Sequence, residues 1–164
     1  MNDQPDSKKH LAELVERARI AMLTTMTSDG KLESRPMALQ DVEFDGDLWF
    51  FVDESADVVA DISAHPQANV AFSNHKQSEW TSLAGTATVV RDRAKVEELW
   101  SPAVKVWFPD GPDTPGLVLL KVHAESAQYW ESTGSKVRQM LGAVRAVVTK
   151  NPDEFPGETH EVSL

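Results

Sequence analysis

The stretch Ser34–Ile62, SRPMALQDVEFDGDLWFFVDESADVVADI, constrains this chain more than any other, because it sets two extended runs, a turn signal and a helix side by side. Asp45-Gly46-Asp47 between apolar runs predicts a hairpin, since Gly supplies the positive φ that such turns need. In the first run Arg35 and Met37 share one face, while Ser34 and Pro36 share the other. The second run, Leu48-Trp49-Phe50-Phe51-Val52, is apolar on both faces and is expected to be covered on both sides. Ser55 stands at an N-cap position before Val58, Val59 and Ile62, which fall on one side of a short helix. A strand end followed by a helix start is a common anion site, because free backbone N–H groups point outward there.

The rest of the chain supplies further strands. Residues 1–7 read as loose and polar, and Leu11, Leu14, Val15 and Ala18 as an amphipathic helix. Strands are expected over 20–27, 31–40, 69–74, 79–90, 117–123 and 126–131, with a turn at Ser28-Asp29-Gly30. Gly85 inside the longest strand predicts a bulge or bend of the sort that closing a small barrel requires. Asp92 is placed to cap a helix carrying Val96, Leu99 and Trp100, and Ser135 a last one carrying Val137, Met140, Leu141, Val144 and Val148. Trp107-Phe108, in the irregular segment 101–115, is too apolar for water and is expected against the barrel or a partner chain. This pattern predicts a mainly β fold with flanking helices, an antiparallel barrel of six or seven strands. One domain over 1–150 is expected, followed by an extended or disordered acidic tail, 151–164.

Composition removes several functions. The 164 residues carry 16 basic and 26 acidic side chains, a formal charge of −10, which argues against a nucleic-acid partner. There is no cysteine, so disulfides, thiolate catalysis and Cys-based metal sites are out. No signal-peptide core or membrane-length apolar run occurs, so the expected place is the cytoplasm. His10, His65, His75, His123 and His160 are dispersed without metal-ligand spacing, and no nucleophile elbow, phosphate loop or dinucleotide fingerprint is present. Acidic pairs such as Asp41/Glu43 and Glu97/Glu98 read as solvated surface.

Six short motifs, taken in order, carry a resemblance over most of the chain. They are Arg35-Pro36-Met37, Leu48-Trp49-Phe50-Phe51, Gly85-Thr86-Ala87, Leu99-Trp100-Ser101-Pro102, Trp107-Phe108-Pro109 and Tyr129-Trp130. In these the chain resembles the pyridoxamine 5′-phosphate oxidase-like split-barrel flavoproteins, in particular the bacterial general stress protein 26 branch. The resemblance implies a split barrel, a homodimer, and flavin mononucleotide (FMN) in a cleft between subunits, with FAD as the alternative. It places Arg35, Pro36 and Met37 along the flavin, Gln40 where the oxidases carry a basic residue, and Phe51 and Val52 at a strand end that meets the ring or phosphate. Ser34 and Ser55 complete the expected binding set, with Trp80 and Trp130 as cleft walls. Asp57 and Val58 stand where relatives place basic residues, which weakens the phosphate site.

Flat aromatic cofactors need apolar walls, a few backbone hydrogen bonds and a cation at the phosphate. The expected function is therefore a flavin-binding stress protein that acts, if catalytic, as an oxidoreductase on a small substrate, with no acid or base to nominate. The acidic C-terminus argues against vitamin B6 oxidation. The alternatives are a non-enzymatic dimeric store or sensor for flavin, haem or the deazaflavin F420, and a barrel that has lost its ligand. Bland roles compete at single residues: a carboxylate pair is the lesser alternative for Arg35, while Trp49, Phe50 and Phe51 belong more readily to a core.

Overall fold

A computed structural model describes residues 4–131 and 158–164. Helix α1 (Gln4–Arg17) opens the chain. Helical structure thus begins inside the segment expected to be loose, with Pro5 in the first turn, where a missing N–H costs nothing. The predicted face is the buried one: Leu11, Leu14 and Val15 lie in the core.

Strands β1 (Ile20–Met26) and β2 (Leu32–Ala38) form the expected hairpin, with Gly30 at φ 83° in its turn. The following strand, β3 (Asp47–Asp53), does not pair with β2. The Asp-Gly signal therefore marks a turn but not a hairpin. Asp45 Oδ1 accepts from the Asp47 amide at 3.1 Å, and the Gly46 carbonyl from the Ala124 amide at 2.8 Å, so the turn is spent on launching β3 toward the far edge of the sheet. Segment 39–46 crosses the barrel end, tied by the Leu39 amide to Arg19 O and by the Phe44 amide to Glu16.

Helix α2 (Asp57–Ala64) packs on the inner face through Val58, Val59 and Ile62. Ala56, not Ser55, is its N-cap, and no side chain caps it; the Ser55 amide and hydroxyl both turn back to Asp53 Oδ1, at 2.8 and 2.5 Å. Strands β4 (Gln67–Asn74), β5 (Glu79–Val90) and β6 (Leu117–Glu131) complete the antiparallel body. Between β5 and β6 lie α3 (Arg93–Leu99) and a 3-10 turn, Val104–Val106. Asp92 caps α3 as expected, its carboxylate accepting from the Ala94 and Lys95 amides.

The two strands expected over 117–131 are one, because the interruption at 124–125 is a bulge rather than a turn. The register steps from Ala84↔Ser126 to Gly85↔Ala124, leaving Glu125 unopposed, and Glu125 accepts from Thr86 Oγ1 at 2.6 Å. The other edge of β6 is divided at the same place. β3 takes Leu117–His123, and β7 (Glu158–Ser163), in the acidic tail, takes Ser126–Glu131, with Val162 buried. The strand order β2-β1-β4-β5-β6-β3, with β7 on β6, gives an unclosed, curled antiparallel sheet of seven strands, the split barrel. The helix expected after Ser135 lies outside the described residues.

The core fills the inner face: Leu23, Phe50, Val70, Leu83, Leu120 and Val122 are fully enclosed. A second cluster sits on the other side of β3, where Trp49 and Phe51 pack with Leu119 under Val96 and Leu99 of α3. β3 is thus covered on both faces, as its unbroken apolar run requires.

Candidate functional site

The two ends of the strand order, β2 and β3, face each other without pairing, and a groove of about 770 Å³ opens along that gap. This is the size range of small-molecule and cofactor pockets. Its β2 wall is Arg35 to Ala38, continued by Leu39 and Gln40; its β3 wall is Phe51 to Asp53. Val58 at the start of α2 closes the inner end, and Val104, Trp107 and Phe108 overhang it. Trp107 remains 70% exposed, so its indole covers the groove on one side only.

Six of the ten residues expected to bind the cofactor meet here: Arg35, Pro36, Met37, Gln40, Phe51 and Val52. Phe51 also stacks edge-on against Trp100 at 5.7 Å, so it serves the second cluster and the groove together. The other four lie elsewhere. Ser34 is on the outer face of the sheet, its hydroxyl 2.7 Å from that of Thr24. Ser55 is held by Asp53, just outside the lining. Trp80 and Trp130 are cross-strand partners on β5 and β6, away from the groove of their own chain. From sequence, Trp107 and Phe108 are expected only as packing or partner contacts. Their place at the groove depends on how the loop between α3 and β6 folds back, which no periodicity encodes.

Arg35 is the most constrained polar group in the groove. Its Nη1 donates to Thr25 Oγ1 at 2.9 Å, and its Nη2 to Asp61 Oδ2 at 3.1 Å. Thr25 in turn donates to the same Asp61 oxygen at 3.0 Å, closing a three-membered ring of bonds across β1, β2 and α2. Asp61 and Thr25 are buried, while the Arg35 side chain keeps 23% exposure toward the groove, where Glu33 approaches it at 3.4 Å. A carboxylate on the inner side of a helix is tolerated because both of its neighbours donate to it.

The remaining charges nearly cancel. Arg19 pairs with Asp41 at 3.3 Å, both largely exposed. Asp53 stands at the edge, and the Ser55 hydroxyl, then the Ser55 amide, hold its carboxyl below the usual carboxylate range. It is therefore ionised throughout the neutral range. Two arginines, two aspartates, Gln40 and Ser101 are the polar side chains of a groove whose other lining residues are apolar. No cluster of three or more potential metal ligands occurs among the described residues.

Comparison with known proteins agrees with this architecture. The family profile described as "Pyridoxamine 5'-phosphate oxidase like" matches residues 6–154. The protein bli-3 of Neurospora crassa is 32% identical over 144 residues, 82% of this chain and 69% of its own length. Among solved structures, a general stress protein 26 homologue from Jannaschia sp. aligns with a TM-score of 0.73 at 25% identity, over 98% of this chain and 99% of that one. A general stress FMN/FAD binding protein from Xanthomonas citri aligns with a TM-score of 0.65 at 30% identity, over 77% and 92%. With its split barrel and a family match running through nearly all of its length, the chain belongs to the pyridoxamine 5′-phosphate oxidase-like family.

Proposed function

We propose that the groove between β2 and β3 binds a flavin, FMN before FAD, and that the protein is a flavoprotein of the general stress protein 26 branch. The observation that carries this reading is the groove itself: an apolar slot whose single inward-anchored cation, Arg35, is oriented by Thr25 and Asp61. Met37, Phe51, Val52 and Val58 offer apolar surface to a flat ring, and Gln40, donating to the Ala38 carbonyl at 3.2 Å, sits at the polar rim. The opening of α2 supplies helix-terminal amides to a phosphate, offset in part by the acid groups of Asp53 and Asp57.

A second copy of the chain completes this site. The outer sheet face beside the groove carries Ile20, Met22 and Pro36 in register, and Ile20 and Met22 are 55% and 42% exposed. Ile20 and Pro36 also line the groove, so a two-fold partner covering this face would also wall the slot. Trp80 and Trp130 belong to the site only through such a partner.

Bound flavin would supply hydride or electron transfer, and the chain would bind it, orient it and exclude water. The groove lining includes no histidine, lysine or tyrosine among the described residues, which favours a store or sensor as the second reading. Visible absorption of the purified protein and its bleaching by NADH or NADPH separate the two. A yellow protein that is reduced by either supports the oxidoreductase, a yellow protein that neither reduces supports the store, and a colourless protein that refuses added FMN sinks the flavin reading. Sedimentation at twice the 18.1 kDa chain mass tests the dimer.

The charge balance makes a sharper prediction. Installing a lysine at Val58 costs packing, because that side chain is buried in the core, so the cleaner change is at the exposed edge. Asp53→Asn removes one ionised carboxylate and is expected to tighten FMN binding roughly two- to fivefold, the effect of one exposed charge. Fluorescence titration reads it; unchanged or weaker binding places the phosphate away from this edge.

A further inference from the structure

A second cavity, of about 530 Å³, lies at the barrel end between the last turn of α1, the link into β1 and the β4–β5 hairpin. It shares only Arg19 and Ile20 with the groove. Its charge runs against that of the chain: Arg17, Arg19 and Lys76 line it with one carboxylate, Glu79, in a protein of formal charge −10. The first arginine is tied through Nε to the Glu13 carbonyl at 3.1 Å, while its two terminal nitrogens make only long bonds, Nη1 to Gln77 at 3.4 Å and Nη2 to Glu79 at 3.5 Å. Leu14, Ile20 and Phe72 give the cavity an apolar wall.

The lining also includes Thr81, 3% exposed on β5. Its hydroxyl is the one buried side-chain polar atom among the described residues that has no hydrogen-bond partner. Buried hydroxyls are nearly always bonded, and an unbonded one carries its desolvation cost uncompensated. The contrast with the other buried polar side chains is direct, since Thr25 and Asp61 satisfy each other. An orphan hydroxyl beneath a cationic rim, with apolar surface between, describes a ligand with two polar ends.

We infer that this cavity binds a small organic acid bearing a second polar group at the end remote from its carboxylate. The carboxylate lies among Arg17, Arg19 and Lys76, the body lies on Phe72 and Leu14, and the far group bonds the Thr81 hydroxyl. The inference is independent of the flavin reading. Its probe is 4-hydroxybenzoate, compared with benzoate, which lacks the second group, and 4-hydroxybenzyl alcohol, which lacks the charge.

Calorimetric titration of the full chain, with and without FMN, reads the outcome. Saturable binding of 4-hydroxybenzoate is expected, about three- to tenfold tighter than benzoate, as one neutral hydrogen bond allows. The alcohol is expected to bind more weakly still. In Thr81→Val, which keeps the shape of the side chain, the two acids are expected to bind alike; in Lys76→Met both weaken. Absence of saturable 4-hydroxybenzoate binding, or equal affinity of the two acids in the unaltered protein, overturns the inference whether or not the variants fold. Displacement of the acid by FMN also overturns it, by moving the acid into the groove.

Discussion

Replacing Gly85 with alanine is expected to lower the unfolding free energy by about 3 kcal/mol or more, the upper end for overpacking a well-filled interior. A Cβ at Gly85 would lie 1.9 Å from the His123 carbonyl oxygen and 2.8 Å from its carbon, with the Ala124 Cα at 3.0 Å. All three are backbone atoms of β6, so no rotamer change relieves the clash. The strand must move, and β6 is held by β5 on one side and by β3 and β7 on the other. Urea denaturation monitored by tryptophan fluorescence measures the loss. Ala84→Ser, one residue away on the exposed side, is the control and is expected to shift the midpoint little. A Gly85→Ala protein as stable as the control would show that the bulge at Glu125 is soft, and that the two halves of β6 need not be held in one register.

The bulge also shows what a sequence can and cannot convey here. Gly85 marked it correctly, because a residue without a side chain inside a strand has few other uses. Its consequence for the partner strand was visible only as a break: 117–131 reads as two strands parted at 124–125, where the structure keeps one strand with a bulge opposite Gly85. The same gap between local and distant information explains the Asp45-Gly46 error. Turn chemistry fixes that the chain bends, and only the burial of β3 on both faces decides that β6 and not β2 becomes its neighbour. That topology matters for the site, because leaving β2 and β3 unpaired is what opens the groove. At Ser55 both the position and the bond differ from expectation: the N-cap of α2 is Ala56, one residue on, and no side chain caps it. Asp53, two residues back, offers a charged acceptor, and the Ser55 amide and hydroxyl both donate to it, so the hydroxyl turns away from the helix amides it would have accepted from.

Arg35 was legible as a candidate from sequence, and its guanidinium both lines the groove and makes the carboxylate pair that was weighed against a cofactor role. The partner was not legible: Asp61 reads as a polar position on a surface helix until α2 is laid across β1 and β2. Removing one member of a buried pair strands the other, so Arg35→Met is expected to destabilise the fold by about 3 kcal/mol. Asp61 would then retain only the Thr25 hydroxyl. Asp61→Asn should cost less, because the amide oxygen still accepts from Thr25 and Arg35, and the cation it leaves, Arg35, is partly exposed and keeps Glu33 at 3.4 Å. Adding Asp61→Asn to Arg35→Met should recover part of the loss, and the double-mutant cycle isolates the coupling. Flavin titration of the same variants separates anchoring from binding. Should Arg35 face the flavin anion, Arg35→Met weakens FMN, whereas Asp61→Asn tightens it by removing the carboxylate that competes for Nη2. If both variants lose stability in the expected order while FMN binds each as it binds the parent, Arg35 is a structural clamp between β2 and α2, and the phosphate must be sought at the opening of α2 instead.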